Sequence, residues 1–355
     1  MPEITIRGAE PADYEALFTF IQRILDETGA QKAPIFSPEL WRWQCQTPGF
    51  DTLAVVAKDG AEVVGSYHLV SRDMWYFDQP RTMVLLQDLG VHPDYRRHGV
   101  FVQMSDYAVS EAAARGWDVT YSFPNHRSYP GFIKKQSYRH VDTVPVYVRP
   151  LDVGQILAER LPLRALWRML GGTVMLPYDG MFRWRAAEAI PIERFSGDVD
   201  ALSRQFVKRA GMGCKRDAAF LNWRFLDKPT HEYHAWGRSQ QNRLRAYLVT
   251  RRAHMFGANC LLLMDFGCAD GADDDLRGLI AARLMAERRE GMALAVTMGL
   301  HPFFGQLRRL GFIRVPNRLN PRPLNFIVRG HTHRVSDDIY DAKKWFTTLA
   351  DWDVL

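Results

Sequence analysis

Between Leu85 and Gly116 the chain reads LLQDLGVHPDYRRHGVFVQMSDYAVSEAAARG: an apolar run, a Pro-Asp turn, a basic turn, and a helix that stops at a glycine. A strand that passes directly into a helix through Arg96, Arg97, His98 and Gly99 leaves several backbone N–H groups unpaired at the positive end of the helix dipole. That arrangement is an anion site. Gly99 suits it, because a side chain there would block close approach of a phosphate to the backbone. Asp118 to Phe123 reads as the next strand. Pairing it in parallel with the strand ending at Val91 requires the intervening helix as the crossover, which sets the class as α/β.

The run Val91-His92-Pro93-Asp94-Tyr95-Arg96-Arg97-His98-Gly99 resembles motif A of the GNAT N-acetyltransferase superfamily, V-x-P-x-x-[RQ]-x-x-G-x-[GA], with Phe101 standing where Gly or Ala is usual. The resemblance implies acetyl-CoA, or another acyl-CoA, as co-substrate and no metal. Its pyrophosphate would lie on Arg96, Arg97, His98, Gly99, Val100 and Phe101. The pantetheine arm would lie between strands that splay beyond Val91, against the backbone of Leu89, Gly90 and Val91. Within Phe123 to Tyr138, Asn125 and Ser128 match the next motif of the family, which adds Asn125 to the cofactor side.

Two catalytic positions depart from the family pattern. Leu85 occupies one place where a carboxylate base is common, and Gln87 shares its face by alternation. Asp88 is the best local carboxylate, on the other side of the strand unless a bulge intervenes. The usual helix tyrosine falls near Phe132, which leaves Tyr129 as the nearest hydroxyl for the general acid and Tyr138 as a core residue. A histidine side chain can serve as an acid or base near neutrality, but His92, His98 and His126 read as exposed turn residues.

Before this stretch, Ile4 to Arg7 reads as a strand and Asp13 caps a helix with Leu17, Phe18, Ile21, Ile24 and Leu25 on one face. Ser37 starts a short helix carrying Trp41 and Trp43, either packed on the sheet or covering the acceptor. Strands at Leu53 to Ala57 and Val63 to Val70 form a hairpin through Asp59-Gly60, with Met74 to Phe77 a further partner. Gln79-Pro80-Arg81 then turns the chain into Met83 to Val91.

After a basic segment with LPLRALWRML and Gly171-Gly172, the order of elements repeats at a separation near 180 residues. Phe220-Leu221-Asn222-Trp223 with Pro229 echoes Leu40-Trp41-Arg42-Trp43 with Pro48, and Gly311 to Val315 echoes Ser137 to Val141. The turn differs: Cys268 to Asp275 carries four carboxylates, which suit a helix N-terminus but repel a pyrophosphate, and it reads as a solvated cap. The expected fold is therefore two tandem GNAT-like domains of the α/β (α+β) class. Each is a mixed, mostly antiparallel twisted sheet flanked by helices. The division is residues 1–150 (catalytic), 151–190 (connection), 191–336 (degenerate copy) and 337–355, a tail whose Tyr340, Trp345 and Phe346 imply docking. Asp351, Asp353 and the Leu355 carboxylate are outside candidates for the active site, since some tandem acetyltransferases place their terminus there.

Lys and Arg number 46 against 40 Asp and Glu, a net +6 scattered without a basic run interleaved with aromatics, so nucleic acid is not an expected partner. No apolar run of about 18 residues points to a membrane. Cys45, Cys214, Cys260 and Cys268 have no metal-site spacing and read as free thiols in a reducing cytoplasm. Direct transfer from a thioester to a small-molecule or protein amine needs no covalent intermediate, so the missing Cys-His or Ser-His-Asp pattern is no objection. Rival readings are a non-catalytic acyl-CoA sensor, favoured by Leu85 and Phe132, and an aminoacyl-tRNA-dependent transferase, opposed by the basic turn.

Overall fold

A computed structural model describes residues 3–27, 37–45, 51–160, 188–255, 257–320 and 323–352. The LPLRALWRML helix, Gly171-Gly172, Pro48, Asp353 and Leu355 lie outside the described residues. The chain divides into two compact units, residues 1–143 with 324–342, and residues 144–323 with 343–353.

In the first unit, strands β1 (Ile4–Gly8), β2 (Thr52–Asp59), β3 (Glu62–Tyr76), β4 (Gln79–Val91), β5 (Val119–Ser122) and β6 (Arg139–Thr143) follow in chain order. β1 to β4 are antiparallel neighbours and β4 pairs with β5 in parallel. β3 is one strand rather than the expected two, because Phe77 and Asp78 both take positive φ (46° and 70°) and close a two-residue hairpin directly onto Gln79. Neither is a glycine, so that turn carried no sequence signal.

Alternation along the strands sorts the core. Val55, Ala57 and Val64 face helix α3 (Val100–Ala114) and α4 (Tyr129–Lys135), whereas Val56 and Val63 face α1 (Tyr14–Glu27) through Leu17, Phe20 and Ile21. α2 (Pro38–Cys45) follows α1. A Cβ on Gly65 would lie 2.9 Å from the Met104 thioether, so this glycine lets α3 settle onto β3. Asp13 is more than a cap. Almost fully buried, it accepts from the Glu10 amide and holds Arg7 (2.6 Å) and Lys58 (3.1 Å).

In the second unit, β7 (Val146–Pro150), β8 (Ile190–Ile192), β9 (Met212–Cys214), β10 (His234–Gln240), β11 (Arg243–Met255), β12 (Ala258–Cys268), β13 (Leu294–Met298) and β14 (Ile313–Arg314) include a seven-stranded sheet. Its order is β14-β7-β13-β12-β11-β10-β8. Helices α5 (Val153–Arg160), α6 (Asp198–Ala210), α7 (Ala218–Leu221) and α8 (Asp273–Arg289) accompany it. The remaining strands are β15 (Asn325–Gly330) and β16 (Trp345–Phe346).

The linear division at 150 and 191 misses a strand exchange. β15 lies between β5 and β6 of the first unit, and β7 lies between β13 and β14 of the second. β6 and β7 are separated only by Val144 and Pro145 yet belong to different sheets. Periodicity reports that a strand exists but not which edge it pairs with, so this was invisible in the sequence. The expected tail divides likewise: residues 337–342 belong to the first unit and 343–352 to the second, where β16 pairs with β9.

Candidate functional site

β4 and β5 pair only at Met83–Val119, Val84–Thr120 and Leu85–Tyr121, and then part. At the parting point the Ser122 hydroxyl donates to the Leu86 carbonyl (3.0 Å). Two residues on, β4 bulges. His68 pairs with Gln87 and Ser66 with Gly90, so Asp88 and Leu89 together face the single residue Tyr67, with Asp88 at φ 48°. The Ser66 hydroxyl donates to the Asp88 carbonyl at 2.7 Å, fixing the kink.

The bulge sets where the Asp88 carboxylate goes. Its Oδ2 accepts from His68 Nδ1 at 3.3 Å and from Gln87 Nε2 at 3.4 Å. Its side chain keeps 14% of its surface exposed while that of His68 keeps 3%, so Asp88 is the member of the pair that an incoming group can touch. Trp41 of α2 is buried with its ring 6.2 Å from that of His68 and edge-on to Tyr14 at 4.9 Å. His68 is the candidate site residue that sequence reasoning missed. Its only signal was its place opposite the strand that bulges, and a bulge cannot be located by alternation alone.

Beyond the bulge, Leu89 and Val91 are half-buried, Gly90 is buried, and Arg96, Arg97, His98 and Gly99 are exposed around the turn. Arg97 (φ 72°) and Gly99 (φ 80°) both take left-handed backbone, Gly99 being the N-cap of α3. The first-turn amides of α3, from Val100 and Phe101, lack the preceding carbonyls that would pair them within the helix. Arg96 is held from behind, its Nε donating to the Val91 carbonyl (3.0 Å) and its Nη2 beside Glu27 (3.5 Å). The Phe101 ring turns toward α4, edge-on to Phe132 at 5.3 Å and so close to Gly131 that a Cβ there would be 2.9 Å away.

Other expectations are corrected or given a different role. His92 is buried, not an exposed turn residue: Arg23 donates to its Nε2 at 2.6 Å and the Asp94 amide to its Nδ1 at 3.3 Å. Asn125 Oδ1 accepts from the amides of Arg127 (2.9 Å) and Ser128 (3.1 Å), so its oxygen builds the turn into α4. Tyr129 is half-buried at the start of α4, edge-on to His140 at 5.7 Å. It starts the helix that follows β5, whereas Asp88 is on β4. Tyr138 and Phe132 are core. Burial and the neighbouring Tyr67 hydroxyl, 3.2 Å away, push the Tyr138 phenol well above its ordinary range. Tyr95 donates to Asp59 at 2.7 Å, which raises its phenol to about 12 and makes it a strut of the turn.

The second unit repeats the frame in detail. β12 and β13 pair in parallel only from Cys260–Leu294 to Leu262–Val296, and the Thr297 hydroxyl donates to the Leu263 carbonyl at 2.9 Å, matching Ser122 on Leu86. Two residues past Leu263 stands Asp265, as Asp88 stands two past Leu86. Its surroundings are different. Asp265 is fully buried, bound by Arg216 at 3.2 Å, by the Tyr247 hydroxyl at 2.9 Å and by the Thr348 hydroxyl at 2.6 Å. Thr347 exchanges backbone hydrogen bonds with Leu300 at 2.9 and 3.0 Å, so the 347–348 segment is bonded to both strands beyond the point where they part. Asp351 completes the cluster on Arg216 at 2.5 Å.

The acidic turn is not merely a solvated cap. Asp270 and Asp273 pair with Arg209, Asp274 with Arg277, and Asp275 with Arg245. Cys214, Cys260 and Cys268 are buried thiols outside any disulfide, and burial raises the Cys268 thiol to about 12. Among the described residues no group of His, Cys, Asp and Glu is placed to hold a metal, and no helix is long and apolar enough to cross a membrane.

Residues 5–141 match the family model of the acetyltransferase (GNAT) domain. That match covers 137 of the 355 residues, all of them in the first unit. No curated protein matches the sequence. Solved structures share the fold over nearly the whole chain. A GCN5-related N-acetyltransferase from Anabaena variabilis ATCC 29413 aligns with TM-score 0.65 and 11% identity over 93% of this chain and 73% of its own. A probable N-acyltransferase from Enterococcus faecalis V583, described as a conserved protein of unknown function, gives 0.62 and 10% over 92% and 72%. Saccharomyces cerevisiae N-myristoyltransferase with bound myristoylCoA gives 0.55 and 11% over 92% and 83%. The chain thus shares its fold with these structures, and both of its units keep a pair of parting parallel strands.

Proposed function

We propose that the protein is a cytoplasmic acyl-CoA-dependent N-acyltransferase, with acetyl-CoA as donor and a primary amine as acceptor. The observation that carries this reading is the bulge of β4. It presents a partly exposed, histidine-supported Asp88 where β4 and β5 separate, on the strand that leads into the exposed basic turn. Arg96, Arg97, His98 and Gly99, with the amides of Val100 and Phe101, bind the pyrophosphate of the donor. The backbone of Leu89, Gly90 and Val91 receives the amides of its pantetheine arm. Asn125 keeps the adjoining loop in shape.

In the transfer the amine nitrogen attacks the thioester carbonyl, the C–N bond forms and the C–S bond breaks. Asp88 takes the proton that the amine loses, and His68 Nδ1–H holds the carboxylate in place. The Tyr129 hydroxyl supplies the proton to the departing thiolate. The second unit has its turn filled with carboxylates and its parted strands bonded to residues 347–348, which supports a single donor site, in the first unit.

The test is turnover of acetyl-CoA with a panel of amines, followed by thiol release, for wild type and Asp88→Asn. Proton-transfer catalysis predicts a fall in kcat of about 10²- to 10⁴-fold in the variant. Donor affinity by calorimetry should be unchanged. Equal turnover in the two proteins would remove Asp88 from the mechanism. Acetyl-CoA binding without turnover on any amine would favour the non-catalytic sensor, the reading that buried Leu85 and Phe132 keep open. Repeating the binding with longer acyl-CoAs identifies the chain length.

A further inference from the structure

A second group of cations lies in the other unit, and the transferase reading does not use it. The chain leaves α7 through a single π-helical turn, Asn222–Leu226, a rare geometry that concentrates at functional sites. Arg224 is in that turn, Lys228 and His231 follow in the next loop, and Arg251 is on β11. Lys228, His231 and Arg251 gather around Tyr233. Lys228 Nζ is 3.4 Å from the Tyr233 hydroxyl and 5.9 Å from its ring centre, the Arg251 guanidinium is 6.0 Å from that centre, and the His231 ring is 6.1 Å from it.

Arg224 is 97% buried by its residue exposure of 3% and is rigidly held, donating to the carbonyls of Leu349 (3.4 Å), Ala350 (2.9 Å) and Trp352 (2.7 Å). Those bonds use Nε and Nη2. Its Nη1 is buried with no hydrogen-bond partner, and the same is true of Arg251 Nη1. Two guanidinium groups each keeping a buried, unused donor is a costly state, since a buried donor is normally paired. Burial, and after it the charges of Arg251, Lys228 and Arg224, lower the His231 ring to about 4, and burial, with a smaller contribution from Arg224, also acts against the charged form of Arg251.

We propose that Arg224, Lys228, His231 and Arg251 form a binding site for a phosphate dianion, free or carried as a monoester on a small molecule. A dianion offers several oxygens to the two unused Nη1 donors and compensates more than one of the three permanent cations. A monocarboxylate compensates only one. The site is independent of the donor turn at Arg96 to Gly99, which belongs to the other unit.

The experiment uses the full chain in phosphate-free buffer and titrates inorganic phosphate, glycerol phosphate and acetate by calorimetry and thermal melting. Wild type, Arg251→Gln and Arg96→Gln/Arg97→Gln are compared. Saturable phosphate or glycerol phosphate binding that survives the Arg96/Arg97 change and weakens at least tenfold in Arg251→Gln is the expected result. The tighter of the two ligands tells whether the anion is free or esterified. Arg251→Gln should also melt no lower than wild type without phosphate, because it relieves like-charge repulsion. In wild type alone, the His231 ring pKa followed by NMR, assigned with His231→Gln, should rise by at least one unit when phosphate saturates. An unmoved His231 titration, acetate binding as tight as phosphate, or full binding in Arg251→Gln would each overturn the proposal, whatever the fate of the acyltransferase reading.

Discussion

Replacing Arg216 with methionine puts the second unit's sealed cleft under test. The Arg216 side chain has no exposed surface, and it bonds Asp265 through Nε at 3.2 and 3.3 Å and Asp351 through Nη2 at 2.5 Å. Methionine fills much of the same volume but leaves two buried carboxylates without their cation. Removing one partner of a buried pair costs about 3–5 kcal/mol, a large share of the roughly 5–15 kcal/mol that holds a protein folded. The loss must depend on pH. Burial already raises the Asp265 carboxyl, and the variant removes the Arg216 charge that opposes that rise, so Asp265 is more easily protonated folded than unfolded, where a carboxylate titrates near about 4. A raised folded pKa means the native state binds more protons across that window, so stability falls as pH rises through it. Urea denaturation at pH 5.5 and pH 8 should therefore show the larger deficit at pH 8, and Asp265→Asn added to Arg216→Met should restore part of it. A deficit below about 1 kcal/mol at both pH values would show that the cluster is solvated. The claim that the 347–351 segment closes this cleft would then fail.

Asp13→Ala should cost about 2 kcal/mol at neutral pH, from loss of its bonds to Arg7, Lys58 and the Glu10 amide. The hydrogen bond from Arg7, more than any other contact, holds the Asp13 carboxyl far below the usual range. Its contribution is present above the unfolded pKa of about 4 and lost as pH falls through the folded value, so wild type and variant should converge in acid melts. Gly99→Ala forces a side chain onto left-handed backbone and should lower stability by about 1 kcal/mol while raising the KM for acyl-CoA more than it lowers kcat. Equal KM would detach the turn from the donor. Tyr129→Phe should lower kcat and leave donor affinity alone, and a kcat unchanged across pH 6–9 would exclude its hydroxyl as the acid.

What the sequence revealed depended on whether the signal was local. Val91, Pro93, Arg96 and Gly99 announce a turn whose geometry is fixed within ten residues, and the turn is there with Gly99 at φ 80°. The repeat was legible as element order, and the matching Ser122–Leu86 and Thr297–Leu263 bonds give it atomic form. Asp88 was named as conditional on a bulge, because alternation alone sends it away. What turns it is the extra residue opposite Tyr67, a two-strand property that no single strand displays. His68 and the Arg216 cluster depend on residues 20 to 135 positions apart, joined only by the finished sheet and tail. The four aspartates of the second turn were legible in the sequence as a carboxylate cluster at a helix start. Their arginine partners, Arg209 and Arg245 on other elements, were not visible from the turn.

The strand exchange also governs the order in which this protein can be made. When residues 1–150 have left the ribosome, β5 and β6 are both present, but the strand that must stand between them is still more than 170 residues from synthesis. During that interval the two edges carry unpaired backbone and an incomplete apolar face, the state in which chains aggregate or pair with a neighbour's strand. Expression of the first half alone should yield insoluble or chaperone-bound material, and its rescue by a separately supplied peptide containing Asn325 to Gly330 would trace the fault to the missing strand.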